Sequence, residues 1–256
     1  MKKIWLNAVL IFFLSGTSFA QELTVAVAAN AAYLFEDLKK IFEEQTGITL
    51  QSVVGSSGKL SVQIEHGAPF DIFISADMEY PETLYKKGMT YNTPRIYAYG
   101  TLVLWTMKDI NLSRAIQVLT DPKIKKIAIA SPQTAPYGRE AVNVLKYYDL
   151  YSRVNEKLVY GESIAQVNQF IVSQAADVGF TAKSVVMAAG MNNQGLWIEI
   201  EKEAYEPIAQ GVVILKNAQG QKLEPAQKFF DFLFSEPAAE IFKKYGYILP
   251  QEAFEN

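Results

Sequence analysis

Three features of the sequence predict an α/β protein built as two lobes. Strand-like and helix-like segments alternate along the chain, its 256 residues exceed the usual size of one domain, and no Gly/Ser tether or internal repeat divides it. Composition agrees with a chain that buries a large core: half of the residues are apolar and a fifth are charged, which excludes a disordered or collagenous chain. There is no Cys and a single His, so a Cys/His zinc site, an iron–sulfur cluster and a cysteine nucleophile are excluded.

The N-terminal stretch, residues 1–20, reads as a secretory signal peptide. Lys2 and Lys3 precede the largely apolar run Ile4 to Leu14, and Ser18-Phe19-Ala20 is a small-x-small cleavage signal. The apolar run falls short of the roughly 20 residues that a bilayer span needs. Cleavage after Ala20 would leave a chain starting at Gln21, and loss of the two lysines takes the net charge from −3 to −5. That mild acidity offers no basic stripe to nucleic acid, and no Cys follows the cleavage site to carry a lipid anchor. The expectation is an unanchored, monomeric protein exported to the periplasm.

Leu23 to Ala28 is a short buried strand. Asn30 then caps a helix whose apolar residues Leu34, Leu38, Ile41 and Phe42 share a face, and Gly47 ends it. Ile48 to Val54 is a second strand, the turn Gly55-Ser56-Ser57-Gly58 leads into a helix through Leu60, Ile64 and His66, and Asp71 to Ser75 is a third strand. This βαβαβ run is the signature of a parallel, doubly wound sheet. The pattern returns with strands at 101–106 and 126–130, a helix at 139–148, and a helix at 164–175 opened by a capping box of Ser163 and Gln166. A strand at 177–181 leads into another helix, Gly211 to Leu215 is strand-like, and two helices close the chain, one with Pro225 in its first turn, the other capped by Ser235 and ended by Gly246. Crossings near 98–101 and 205–212 assign residues 21–98 and 212–256 to the first lobe and 99–211 to the second, with the final helices returning to the first.

Small hydroxyl and amide residues fall where strands or loops feed helices: Asn30, Ser56-Ser57-Gly58, Thr134 to Gly138, and Ser163-Ile164. Each junction exposes unpaired backbone N–H groups and the positive end of a helix dipole. In an open α/β sheet such junctions lie at the carboxyl ends of the strands, where ligands bind, so four of them converging describe a pocket for an anion. Taken singly, each Ser or Asn also reads as an ordinary helix cap. Other chemistries fit less well. GSSGKL fails as a Walker A loop because Val53 and Leu60 stand where Gly and Ser/Thr are needed, and it fails as a hydrolase elbow because Lys59 replaces the last Gly. His66, which would serve an exported hydrolase, reads as a dipole partner at a helix end. Asp71 and Asp77 could pose as paired carboxylates, though Asp77 reads as the cap of the next helix. A ferric site built from tyrosinates is the weaker metal alternative, since Tyr147 and Tyr148, adjacent on a helix, would point in different directions.

Together, LTVAVAAN, VVGSSGKLSVQIEHGAPFDIFISAD, YAYGTLVLWT, SPQTAPYGREA, GESIAQV, ADVGFTAKS and PAAEIFKKYGYILP resemble the periplasmic molybdate-binding proteins of ABC importers. The resemblance runs through nearly all of the chain after residue 20. It implies a two-lobed, type II Venus-flytrap fold, each lobe a mostly parallel sheet flanked by helices, whose cleft holds molybdate or tungstate by hydrogen bonds alone. It implies no cofactor, no direct metal ligand, no enzymatic activity, and delivery of the anion to an ABC permease in the inner membrane. Carried over by position, the donors are Asn30, Ser57 through hydroxyl and backbone, Tyr137 in APYG, and the backbone N–H of Ile164. Ala29, Ser56 and Thr181 are further candidates. The residues suggest an oxyanion and the family suggests which one, so receptors for sulfate, thiosulfate, phosphate or ferric ion, and an anion sensor, stand as rivals.

Overall fold

The computed structural model describes residues 21–191 and 194–253. The expected signal peptide lies outside them. The chain forms two five-stranded sheets, each covered by helices.

The first sheet begins with β1 (Glu22–Ala28), the helix α1 (Ala32–Thr46), β2 (Thr49–Gly55), α2 (Ser57–Glu65), β3 (Ile72–Ile74), α3 (Glu79–Lys86) and β4 (Arg95–Gly100). The chain then builds the second sheet: β5 (Leu102–Thr106), β6 (Ile127–Ala130), α4 (Pro136–Tyr147), α5 (Tyr151–Val154), β7 (Leu158–Gly161), α6 (Ile164–Val172), β8 (Val178–Ala182), α7 (Lys183–Val186) and β9 (Leu196–Glu199). It returns through β10 (Ile208–Ile214), and α8 (Leu223–Phe232) and α9 (Glu236–Lys244) pack back on the first sheet. Strand orders are β2-β1-β3-β10-β4 and β7-β6-β8-β5-β9. Within each, four strands run one way and one is reversed, β10 in the first and β5 in the second. The reversed strand is in both cases the one the chain forms on arriving from the other sheet, so it starts where its neighbours end. The edges expected between 98 and 99 and between 211 and 212 fall inside β4 and β10, which belong whole to the first sheet.

Period-two alternation fixes which side chains meet. Leu23, Val25 and Val27 of β1, Ile72 and Ile74 of β3, and Val212 and Ile214 of β10 pack one face of the first sheet against α1, α8 and α9, while Ala26, Phe73 and Val213 face Leu60 and Ile64 of α2 and Leu84 of α3. Phe42 and Phe229 meet edge to face at 5.0 Å, tying α1 to α8. A second core gathers Trp105, Ile127, Ile129, Val144, Val167, Ile171 and Phe180 around the other sheet. Helix ends follow the sequence at Gly47 and Gly246, whose φ of +71° and +73° are left-handed. Tyr147 and Tyr148, expected to point apart, instead meet edge to face at 5.0 Å, because Tyr148 is the C-cap and no longer follows the helical turn.

Candidate anion-binding cleft

The N-terminal ends of α1, α2, α4 and α6 converge between the sheets. Ala28, Ala29, Asn30, Ser56, Ser57, Ala76, Ala135, Pro136, Tyr137 and Ile164 line a cleft there, and none of these side chains is charged. Its cavity volume is about 10 Å3, about the room of one water molecule and far below the roughly 300–1,000 Å3 of sites for larger organic ligands. Room that small excludes a larger organic ligand.

The ordinary-cap explanation fails at three of the junctions. Ser56 and Ser163 occupy N-cap positions but make no side-chain capping hydrogen bond. Asn30 is no cap at all; it lies in a 3-10 turn, Ala29–Ala31, ahead of α1. The Ser163–Gln166 box is correspondingly incomplete, since Gln166 Oε1 accepts from the Glu162 N–H at 2.6 Å. The hydroxyls are therefore left for something else.

Hydrogen-bond polarity decides what that can be. The Ala76 N–H donates to Ser57 Oγ at 2.9 Å, and Gln210 Nε2 donates to Tyr137 Oη at 3.0 Å. Each oxygen thus has a lone pair engaged, and no acceptor for its own proton occurs among the described residues. Ser56 Oγ is buried with no hydrogen-bond partner. Burial, reinforced by neighbouring phenols, pushes the Tyr137 pKa well above 10.0, so it remains a protonated donor. Three hydroxyls able to donate, beside the free N–H groups of helix starts, suit an acceptor-only guest.

Asn30 faces the other way. Its Nδ2 donates to Gln210 Oε1 at 2.8 Å and to Tyr247 Oη at 3.0 Å, while its carbonyl accepts from Ser184 Oγ at 2.7 Å. Its place in the cleft therefore rests on its backbone. Thr181 is not brought to the cleft: fully buried, it donates to Asn168 Oδ1 at 2.6 Å. No junction motif marks Gln210, Tyr97 or Tyr247, each of which lies more than 35 residues from the nearest one along the chain.

Contacts across the cleft hold the lobes together. Gly58 N–H donates to Thr134 O at 2.9 Å, Arg139 pairs with Asp77 at 2.7 Å and Glu79 at 3.1 Å, and Lys59 pairs with Glu162. Burial raises the Asp77 pKa even against the Arg139 guanidinium. Asp77 also accepts from the Tyr80 N–H at 3.3 Å, although Met78 is the N-cap. Asp71 belongs to a separate network, accepting from Thr24 N–H, Asn217 and Lys222, so the two aspartates do not form a pair. His66 is the exposed C-cap of α2, its Nδ1 2.7 Å from Val62 O, at the opposite end of that helix from the cleft. Tyr97, Tyr137 and Tyr247 do cluster, but burial raises all three, and a ferric site needs phenolates.

Comparison with known proteins identifies the family and the fold. Residues 23–248 match the model of the bacterial extracellular solute-binding protein family. The molybdate-binding protein ModA of Azotobacter vinelandii is 40% identical over 229 residues, covering 89% of this chain and 90% of that one. ModA of Rhodobacter capsulatus is 37% identical over 233 residues, 90% of this chain and 89% of its own. The solved structure of the A. vinelandii periplasmic molybdate-binding protein superposes with a TM-score of 0.84 at 34% identity, covering 90% of this chain and 100% of that one. The chain belongs to the bacterial extracellular solute-binding protein family.

Proposed function

We propose that this protein is a non-enzymatic, periplasmic receptor that captures molybdate or tungstate between its lobes and hands it to an ABC importer. The observation that carries the reading is the donor set. Ser56 Oγ is buried without a partner among the described residues, and the Ser57 and Tyr137 hydroxyls each have one lone pair engaged by an N–H group. A fully deprotonated tetrahedral dianion supplies acceptors on every side and needs none in return. The hydroxyls of Ser56, Ser57 and Tyr137 and the backbone N–H groups of Ala29, Asn30 and Ile164 are the proposed contacts. Fixed dipoles can hold a dehydrated dianion without a counter-charge, because they need no reorganisation when it arrives. Hydrogen bonds to a charged acceptor contribute about 1.5–3 kcal/mol each, enough together to exceed association costs of about 4–15 kcal/mol. Contact with both lobes favours the closed form over the open one, which is the state a permease would recognise.

The relatives at 37–40% identity, both named as molybdate-binding proteins, support molybdate over its rivals. Sulfate has the same shape and charge but shorter bonds, so a rigid donor set misses its oxygens. Isothermal titration of the chain with molybdate, tungstate and sulfate tests the reading. One-to-one binding of the first two at micromolar Kd or tighter, with sulfate weaker by about a hundredfold or more, is expected. No binding of molybdate, or preference for sulfate, overturns it.

A further inference from the structure

Among the described residues, ion pairs join the two lobes at two places, and the two differ in their surroundings. Lys59, on α2, pairs with Glu162, ahead of α6; both side chains are about half exposed, so solvent screens that pair and it contributes little. Arg139, in the first turn of α4, reaches Asp77 at 2.7 Å and Glu79 at 3.1 Å. Asp77 is buried, and its two carboxylate oxygens serve different lobes. Oδ1 accepts from Ser75 Oγ at 3.2 Å and from the Tyr80 N–H at 3.3 Å, both in the first lobe, while Oδ2 accepts from Arg139 Nη2 of the second. The Asp77 N–H donates in turn to Ser75 Oγ at 3.3 Å. Its own lobe thus holds the carboxylate by one oxygen and presents the other to the opposite lobe. The pair adjoins the cleft along the chain: Ala76 and Tyr137, which line it, are one and two residues from Asp77 and Arg139.

We infer that the Asp77–Arg139 pair is a latch that sets how long the closed lobes keep the anion. This rests on the anion-receptor reading. The partners belong to opposite lobes, so the pair is made once the lobes close over the guest and broken before the guest leaves. An interaction made after entry and lost before exit slows release and leaves capture alone. The guanidinium suits this use, because its planar fork of donors takes Asp77 and Glu79 together. A carboxylate shielded from water also holds its cation more firmly than the exposed Lys59–Glu162 pair can.

The test separates release from capture. Protein loaded with radiolabelled molybdate is chased with unlabelled molybdate, and the association rate follows from the release rate and the titrated Kd. Asp77→Asn keeps a carbonyl oxygen for Ser75 and the Tyr80 N–H but loses the ion pair. It is expected to speed release by about tenfold or more, with the association rate within about threefold of wild type. Arg139→Gln should speed release similarly, and the double variant no further than the faster single, because one interaction can be lost only once. The sign discriminates: charge alone would make Asp77→Asn, which removes a negative charge beside a dianion's cleft, hold the ion longer. Slower or unaltered release in Asp77→Asn, or effects that multiply in the double variant, overturns the inference. So does a Lys59→Gln release rate as fast as that of Asp77→Asn, which would mean that any contact between the lobes serves. Should Asp77→Asn lack a cooperative melting transition, Glu79→Gln, at an exposed site and removing the same sign of charge, takes its place. Release should again be faster than wild type, and slower or unaltered release overturns the latch. A wild-type protein that does not bind molybdate overturns the receptor reading and the latch with it, whereas the other outcomes overturn the latch alone.

Discussion

At the scale of single residues, the cleft separates side chains that serve the fold from those that wait for a guest. Ser56 Oγ is buried without a partner, a state that costs free energy in the empty protein. Ser56→Ala is therefore expected to leave the melting temperature of the unliganded protein unchanged or raise it, while weakening molybdate binding by roughly tenfold to a hundredfold. Ser57→Ala should weaken binding over the same range, and calorimetric titration beside thermal melting checks both. Thr181→Val should behave in the opposite way. It orphans Asn168 Oδ1 in a buried site, so the denaturation midpoint should fall by the equivalent of about 1–3 kcal/mol while molybdate affinity stays within about threefold, a factor worth well under 1.4 kcal/mol. A large loss of affinity in that variant would place Thr181 in contact with the anion. Ser57 and Tyr137 were legible because each stands where a strand or loop feeds a helix. Gln210 was not, since nothing local distinguishes a glutamine on a strand until a bulge and two distant tyrosines surround it. Asn30 was legible as a position, but its side chain turned inward, where only tertiary contacts could place it.

Among the secondary-structure elements, those with a clear period were legible. β1, β2, α1, α2 and α6 carry runs whose alternation or i, i+4 spacing survives in the fold. β4, β7 and β9 were not. RIYAYG and LVYG mix polar and apolar residues without a clean alternation, and LWIE is a short, partly exposed edge strand; pairing with β10, β6 and β5 is what makes them strands. One contact clamps the second sheet from below. Asp177, just before β8, accepts from Lys108 Nζ at 2.5 Å and from the N–H groups of Lys125 and Lys126 at 2.7 and 2.8 Å. Burial pushes its pKa up, but the Lys108 ammonium and the two N–H groups outweigh it and hold the carboxyl below its ordinary 3.8. A carboxylate with a lowered folded-state pKa contributes stability that is fully present above its unfolded value and is lost as pH falls through the folded one. The melting temperatures of wild type and Asp177→Asn should differ at pH 7, and the gap should close as pH falls below 3.8 and through the lowered folded-state value. A gap that persisted in strong acid would show the clamp to be indifferent to charge.

On the scale of the whole molecule, two lobes joined by two crossings must approach closely enough for donors from both to reach one ion. Gly58 is one place where they meet closely: a Cβ there would lie 2.9 Å from the Thr134 backbone, and the Gly58 N–H already donates to Thr134 O. Gly58→Ala should wedge the lobes apart. Affinity for molybdate is expected to drop by about tenfold or more, since about 1.4 kcal/mol of strain in the closed form suffices, with the unliganded melting temperature unchanged and no compaction on adding molybdate in small-angle X-ray scattering. Normal compaction in that variant would mean that the contact at Gly58 is not needed for closure. Two lobes were legible from the doubled βαβ pattern, whereas the reversal of β5 and β10 was not, because direction follows from where the chain enters a sheet and leaves no mark in local sequence. The account as a whole is tested most directly by a crystal structure of the protein grown with molybdate. It predicts a single tetrahedral ion in the cleft, within hydrogen-bonding distance of Ser56, Ser57 and Tyr137 hydroxyls and helix-start N–H groups from both lobes. A lysine or arginine making the principal contact, or an ion held by one lobe alone, would contradict it.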